Sequence, residues 1–354
     1  MHPAFGGIDF GTSNSTVGVI RHGRAQLVAL EGEQPTLPSA VFFNFEDGHT
    51  YFGRRAIADY TDSVEGRLMR SLKSVLGSSL ANEKTRIKAR LIGFTEPIAA
   101  ALDYEQNVAR EELALIVDMG GGTSDFSIVR VSPERARSDD RKGDILANRG
   151  IHIGGTDFDR LLSIAHIMPE LGYLTPTKDG KRNLPASYFI DLATWQRINL
   201  IYTAKAMSDL KQIRFEAERA DLVDRFIHIV EHRYGHAMAG LVERAKIALT
   251  EHSWAEVKVS LPGVRFAAGI TRAGLEETIG GDIERVAATV RQTIADAGVP
   301  ASAITAVFLT GGSTAIPLAK RRILSLVPQA SVIEGDMFGS VGLGLALDAR
   351  RKFA

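Results

Sequence analysis

Two carboxylates, Asp9 and Asp118, stand at the ends of apolar runs, and each is followed two positions later by a glycine. Residues 8–20 read IDFGTSNSTVGVI and residues 117–129 read VDMGGGTSDFSIV. Laid on each other at a constant offset of 109 residues, the stretches match Asp9 to Asp118 and Gly11 to Gly120. Gly11 and the run Gly120, Gly121, Gly122 allow backbone N–H groups to converge on one point, and Thr12, Ser13 and Thr123 add hydroxyls. Converging amides form an anion nest, and a carboxylate beside it suits a hydrated Mg²⁺. Two such turns facing each other would clamp one polyphosphate from both sides.

A lone strand, Asp-x-Gly turn and returning strand is often an ordinary hairpin. A second copy that keeps the carboxylate is hard to explain as turn chemistry alone. No Gly-x-x-x-x-Gly-Lys-Ser/Thr string occurs, so the P-loop route to phosphate binding is excluded.

The elements that must position these turns follow from composition and period. β-Branched and aromatic residues flank both glycine clusters, which predicts a strand, a tight turn and a returning strand in each copy. Residues 17–30 alternate and turn at His22, Gly23 and Arg24, which predicts an antiparallel meander. Pro35 and Pro38 mark a loop before the apolar stretch 40–45. Residues 63–77 carry helical spacing, with Leu68, Leu72 and Leu76 on one side and Arg67, Arg70 and Lys73 on another. Pro97 after Glu96 suits a first helical turn. Residues 148–159 predict a strand that ends at Gly154, Gly155 and Thr156 and opens a helix with Asp157 near its start, where exposed amides favour phosphate. Residues 188–249 read as mostly helical, and residues 307–312 as a buried strand running into a glycine turn at Gly311 and Gly312.

A chain of 354 residues with 45% hydrophobic and 24% charged content is ordinary for a globular protein of about two domains. Forty-two cationic residues balance 42 acidic ones, so no global basic field points to nucleic acid. The absence of cysteine removes disulfides, thiol catalysis and thiolate metal sites. No run approaches the length of a membrane span and no charged-then-apolar leader precedes the first turn, so a cytoplasmic location is expected.

With these residues in view, the chain resembles the nucleotide-binding domain of the seventy-kilodalton heat-shock (DnaK) family, within the superfamily shared with actin and hexokinase. Among its members it is most similar to the YegD-type chaperone-like proteins. Residues 8–15 and 118–125 look like that family's two phosphate loops. Residues 96–102 (EPIAAAL), 153–159 (IGGTDFD) and 310–314 (TGGST) match further motifs in the right order.

The resemblance implies a two-lobed α/β protein of the actin-like ATPase (ribonuclease H-like) fold, with duplicated β-sheet cores and a nucleotide cleft between lobes. Lobe I would hold residues 1–110 and recover the closing helix 338–354. Lobe II would hold 111–337, with a helical small subdomain at about 187–265. The cofactors implied are ATP or ADP and Mg²⁺. Asp9 and Asp118 would hold the metal, and Gly11, Thr12, Ser13, Gly120, Gly121, Gly122, Thr123, Gly154 and Gly155 would cradle phosphate. Lys73 resembles the lysine that reaches the transferred phosphate, where a flexible point charge suits the task; without the resemblance it is a cation on a solvated face. A helix-opening glutamate usually just matches the dipole, whereas the family makes Glu96 a residue of the Mg-water or coupling network. Glu243 and Lys246 resemble the adenosine clamp, and Gly311, Gly312, Ser313 and Asp336 the nucleotide-facing turn and closing aspartate. Asp118, Thr123, Lys73 and Glu96 would be the catalytic group.

Two departures stand out. Ile247 and Ala315 replace arginines that sandwich the adenine, and neither can stack as a guanidinium does, so weak base selectivity is expected. Only 23 positions separate Lys73 from Glu96, where the family places a whole small subdomain with a strand and helix. Either that subdomain is largely missing between 77 and 90, or a stretch is omitted from the sequence; the exposed backbone donors and sheet edge that a loss would leave favour omission.

The function expected is slow, Mg-dependent ATP hydrolysis by a heat-shock-family-like protein. The alternatives are a nucleotide-sensing scaffold without turnover, an actin-like filament protein, and a small-molecule kinase of the same fold. The chain stops at Ala354 after the closing helix, and residues 350–353 do not resemble the family's interdomain linker. Direct binding of unfolded peptides is therefore not expected, and a separate protein partner would read the nucleotide state.

Overall fold

The computed structural model describes residues 5–62, 64–70, 104–105, 108–137, 143–334 and 339–353. Lys73, Glu96, Asp336 and the short interval between Lys73 and Glu96 lie outside the described residues. The chain divides into two units, one of Met1–Gly155 with Asp282–Ala354 and one of Thr156–Gly281.

The first unit opens with β1 (Gly6–Phe10) and β2 (Asn14–Arg21), paired antiparallel with Asp9 opposite Thr16. β3 (Arg24–Leu27) returns beside β2 through His22 and Gly23, which both sit at positive φ. Two positive φ values in a two-residue loop match the twist of the flanking strands. The expected meander is therefore present, and β4 (Thr36–Pro38) also joins β2.

A three-stranded sheet follows, from β5 (Ala40–Asn44), β6 (Thr50–Phe52) and β7 (Gly66–Arg70), with α1 (Gly53–Thr61) between the last two in sequence. The helical expectation for residues 63–77 is corrected here, since β7 is a strand paired antiparallel with β5, Leu68 opposite Phe42. Leucines spaced by four satisfy both a helical period and the even period of one strand face. Burial decides between them: Arg67 is exposed, and Leu68 joins Ala40, Phe42 and Ala56 in one apolar cluster. Residues 71–77 lie outside the described residues.

The largest sheet takes β8 (Glu112–Met119), β9 (Ser124–Val131) and β10 (Ile145–Ile151) from the first stretch of this unit. α2 (Gly155–Leu162) opens directly after β10, with Asp157 in its first turn as expected.

The second unit is helical as expected, through α3 (Ser187–Ala193), α4 (Ala204–Glu216), α5 (Ala220–Glu231) and α6 (Gly235–Glu251). The Thr203 hydroxyl caps α4 by accepting from the Ala206 N–H at 3.2 Å, which satisfies one of the donors that a helix start leaves open. Phe189 and Phe226 are fully buried with ring centroids 4.7 Å apart. The hairpin β11 (Trp254–Leu261) and β12 (Val264–Thr271) follows in the same unit, with Ala255, Val257 and Val259 buried at alternate positions.

The unit boundary falls inside α7 (Arg272–Asp296). The chain then adds β13 (Ala306–Thr310), α8 (Pro317–Leu324), β14 (Ser331–Glu334) and α9 (Ser340–Phe353) to the first unit. The large sheet runs β10-β9-β8-β13-β14, and β13 lies parallel to both β8 and β14. All five residues of β13 are buried, as a strand covered on both faces requires. Ala114, Ile116, Val129, Val131, Ala306 and Phe308 form its core with Val341 of α9. α9 also lies close against the first sheet, where a Cβ on Gly18 would strike the Gly342 carbonyl. The molecule is thus a mixed α/β protein with several sheets, in keeping with the actin-like ATPase class.

Candidate functional site

Both glycine turns take the form that the sequence implies. β1 ends in Asp9 and Phe10, residues 11–13 turn, and β2 begins at Asn14; β8 ends in Asp118 and Met119, residues 120–123 turn, and β9 begins at Ser124. The second turn is closed by Gly120 N–H donating to Thr123 O at 2.9 Å. Asp118 is buried, opposite Asp125 of β9 and beside Thr310 of the parallel strand β13.

The turns lie against each other within the first unit. A Cβ added to Gly121 would land on Ser13 Oγ, and one on Gly122 would stand 3.1 Å from Thr12 Oγ1. Gly154 meets the second turn so closely that its Cβ would be 2.6 Å from Gly122 N. Gly155 N–H donates to Gly120 O at 3.0 Å. Gly311, at φ +80°, brings the third glycine turn onto Asp118, whose Oδ1 would lie 2.6 Å from a Cβ there. Ser313 Oγ then donates to the same Gly120 O at 2.9 Å. Four segments remote in sequence therefore converge: residues 11–13, 120–123, 154–155 and 311–313.

The sequence reading missed the residue that fixes the first turn. Ser39 Oγ donates to Gly11 O at 2.7 Å and Ser39 N–H to Ser13 O at 2.8 Å. A serine after a proline in a loop carries no periodic signal, so only tertiary contact reveals it.

Glu243 and Lys246 lie on α6 in the second unit, one helical turn apart. Lys246 is buried rather than on a solvated face, its Nζ 2.8 Å from Asp159 Oδ1. Ile247 is 57% exposed, and Ala315 ends the short turn Gly312–Ala315.

The donor set suits Mg²⁺. That ion keeps several waters and takes one or two carboxylates rather than an all-protein cage. Asp9 and Asp118 offer two such carboxylates at strand ends beside glycine-lined turns, and no group of three or more metal-binding side chains gathers among the described residues.

A family model described as Hsp70 protein matches residues 5–95, 88–183 and 231–349. Residues 184–230, which include α3 and α4, fall outside that match. Among curated proteins the chain is similar to Chaperone protein HscA of Citrobacter koseri, at 24% identity over 425 aligned residues, covering 97% of this chain and 57% of that protein. It is similar in the same measure to Chaperone protein HscA of Pectobacterium atrosepticum. Chaperone protein HscA of Pectobacterium carotovorum subsp. carotovorum is 26% identical over 274 residues, 75% of this chain and 34% of that protein. The chain spans little more than half the length of the first of these relatives.

Proposed function

Because the chain belongs to the Hsp70 family, we propose that it binds Mg-ATP on its two glycine turns and hydrolyses it slowly, as a chaperone-related ATPase. One observation carries this reading: two copies of a carboxylate-ended strand and glycine turn pack so closely that a single added carbon on Gly121 would strike Ser13. Loops that dispense with side chains where they meet leave backbone amides as the groups offered to an anion.

In this reading the Gly121 and Gly122 amides and the Thr12, Ser13 and Thr123 hydroxyls donate to phosphate oxygens. Asp9 and Asp118 would hold Mg²⁺, and the ion would supply neutralising charge to the phosphates. Thr123 or Asp125 orients the attacking water. Lys73 offsets charge that grows on the transferred phosphoryl group, so most of the catalysis is electrostatic and positional. Glu96 belongs to the Mg-water or coupling network, Gly154 and Gly155 to the phosphate cradle, and Glu243 and Lys246 to the adenosine end. Gly311, Gly312, Ser313 and Asp336 close on the nucleotide. The reading also includes placement near YegD-type members, a cytoplasmic location, and a protein partner that senses nucleotide state.

The test is phosphate release from ATP with and without Mg²⁺. Slow, saturable, Mg-dependent release supports the proposal, whereas ATP binding without release would leave a nucleotide-sensing scaffold. Lys73→Ala should lower release far more than ATP affinity, as expected of a charge acting in the transition state. An equal loss in both would make it a ground-state binder.

A further inference from the structure

Elsewhere in the first unit, arginines meet carboxylates: Arg54 pairs with Glu31, Arg149 with Asp296, and Arg322 grips Glu284 through two nitrogens. The β2–β3 hairpin departs from this. Arg21 and Arg24 are exposed and lie directly opposite each other across its two-residue turn. Cβ atoms so placed are about 5 Å apart, and like charges there weaken a hairpin. Arg350 of α9 brings a third guanidinium to the same turn, its Nη1 donating to Gly23 O at 2.8 Å. None of the three meets a carboxylate among the described residues. The turn itself does not require them, since His22 and Gly23 supply its positive φ values. A local rule broken with no gain to the fold is expected where a surface serves a function.

We infer that this turn and the adjoining end of α9 form a docking surface for an acidic segment of a partner protein. The surface lies within the first unit and stands apart from the nucleotide reading. Carboxylates laid against the three guanidinium groups turn their repulsion into attraction, and each planar fork can meet a carboxylate with two parallel N–H donors. The surroundings select the occupant. No exposed large apolar side chain lies on β2, on β3 or on α9 up to Arg350, so nothing described there would enter the acyl layer of a membrane. The balanced charge of the chain gives no extended basic field for a nucleic-acid backbone to follow. A short run of Asp or Glu fits a patch that spans one turn and one helix end.

The experiment is fluorescence anisotropy of a labelled oligoglutamate peptide titrated with the full chain at low and at physiological salt. Saturable binding is expected, tighter at low salt because exposed charges are screened. Arg21→Gln/Arg24→Gln should weaken it at least about tenfold, the loss expected for charged hydrogen bonds, and Arg350→Gln about threefold or more. Lys211→Gln, an exposed cation of the second unit, should leave it within about twofold. Arg24→Glu should abolish binding without lowering Tm, because it places an opposite charge across from Arg21. Absence of saturable binding, or binding that survives the arginine substitutions, would overturn the inference. So would a lowered Tm in Arg24→Glu, which would make the arginines structural, and so would displacement of the peptide by tripolyphosphate, which would put it on the glycine turns. A single-stranded oligonucleotide or anionic vesicle that binds more tightly than the peptide and is lost with the same arginines would assign the patch to phosphate instead.

Discussion

At the scale of single residues, the account depends on carboxylates whose charge, rather than shape, is required. Asp118 is buried at a strand end, and Asp118→Asn keeps that shape while removing the charge that would face the metal. Phosphate release with Mg²⁺ should fall by at least ~100-fold, about 3 kcal/mol of transition-state stabilisation, with an unchanged circular dichroism spectrum. The same result is expected for Asp9→Asn. Wild-type turnover in either variant would remove the metal assignment. Glycine makes a separate prediction, because an alanine Cβ at position 154 would stand 2.6 Å from backbone atoms of the second turn. Gly154→Ala should displace that turn at a cost of about 1–3 kcal/mol, read as a lowered Tm and weaker ATP binding. An unperturbed variant would show that the turn has room to spare.

At the scale of elements, much was legible because glycine, apolar alternation and sequence repetition are local signals. The duplicated turns, the meander through His22 and Gly23, the helical stretch 188–249 and the buried strand before Gly311 all declare themselves in short windows. β7 did not, because leucines four apart suit a helix and a strand face equally and only Phe42 across the sheet settles the choice. Ser39 was invisible as a working residue for a related reason: its partner, Gly11, is 28 positions away. The five-residue π-helix Ser163–Ile167 after α2 makes a pH prediction. Burial holds the His166 imidazole below the ordinary histidine value, against the opposing pull of Glu277. The unfolded chain therefore binds the proton more readily, and this contribution to stability is present at higher pH and lost as pH falls through the histidine range. His166→Gln should flatten the decline of Tm between about pH 7 and about pH 5. An unchanged slope would assign the decline to other groups.

At the scale of the whole molecule, the charge is balanced and no helix of the described residues is long and apolar enough to cross a membrane. Ile247 and Ala315 stand where the resemblance implies adenine-stacking arginines. Placing arginine at both positions should tighten ATP relative to GTP by ~1–2 kcal/mol if a guanidinium stacks on the base. No gain would mean that the base is held by other groups. The central claim is that the convergent glycine turns hold the polyphosphate of Mg-ATP. Its most direct test is calorimetric titration of Mg-ATP into the unmodified chain, repeated in the presence of tripolyphosphate. The account predicts saturable binding at one site per chain that tripolyphosphate competes away; saturable ATP binding untouched by tripolyphosphate, or no binding at all, would contradict it.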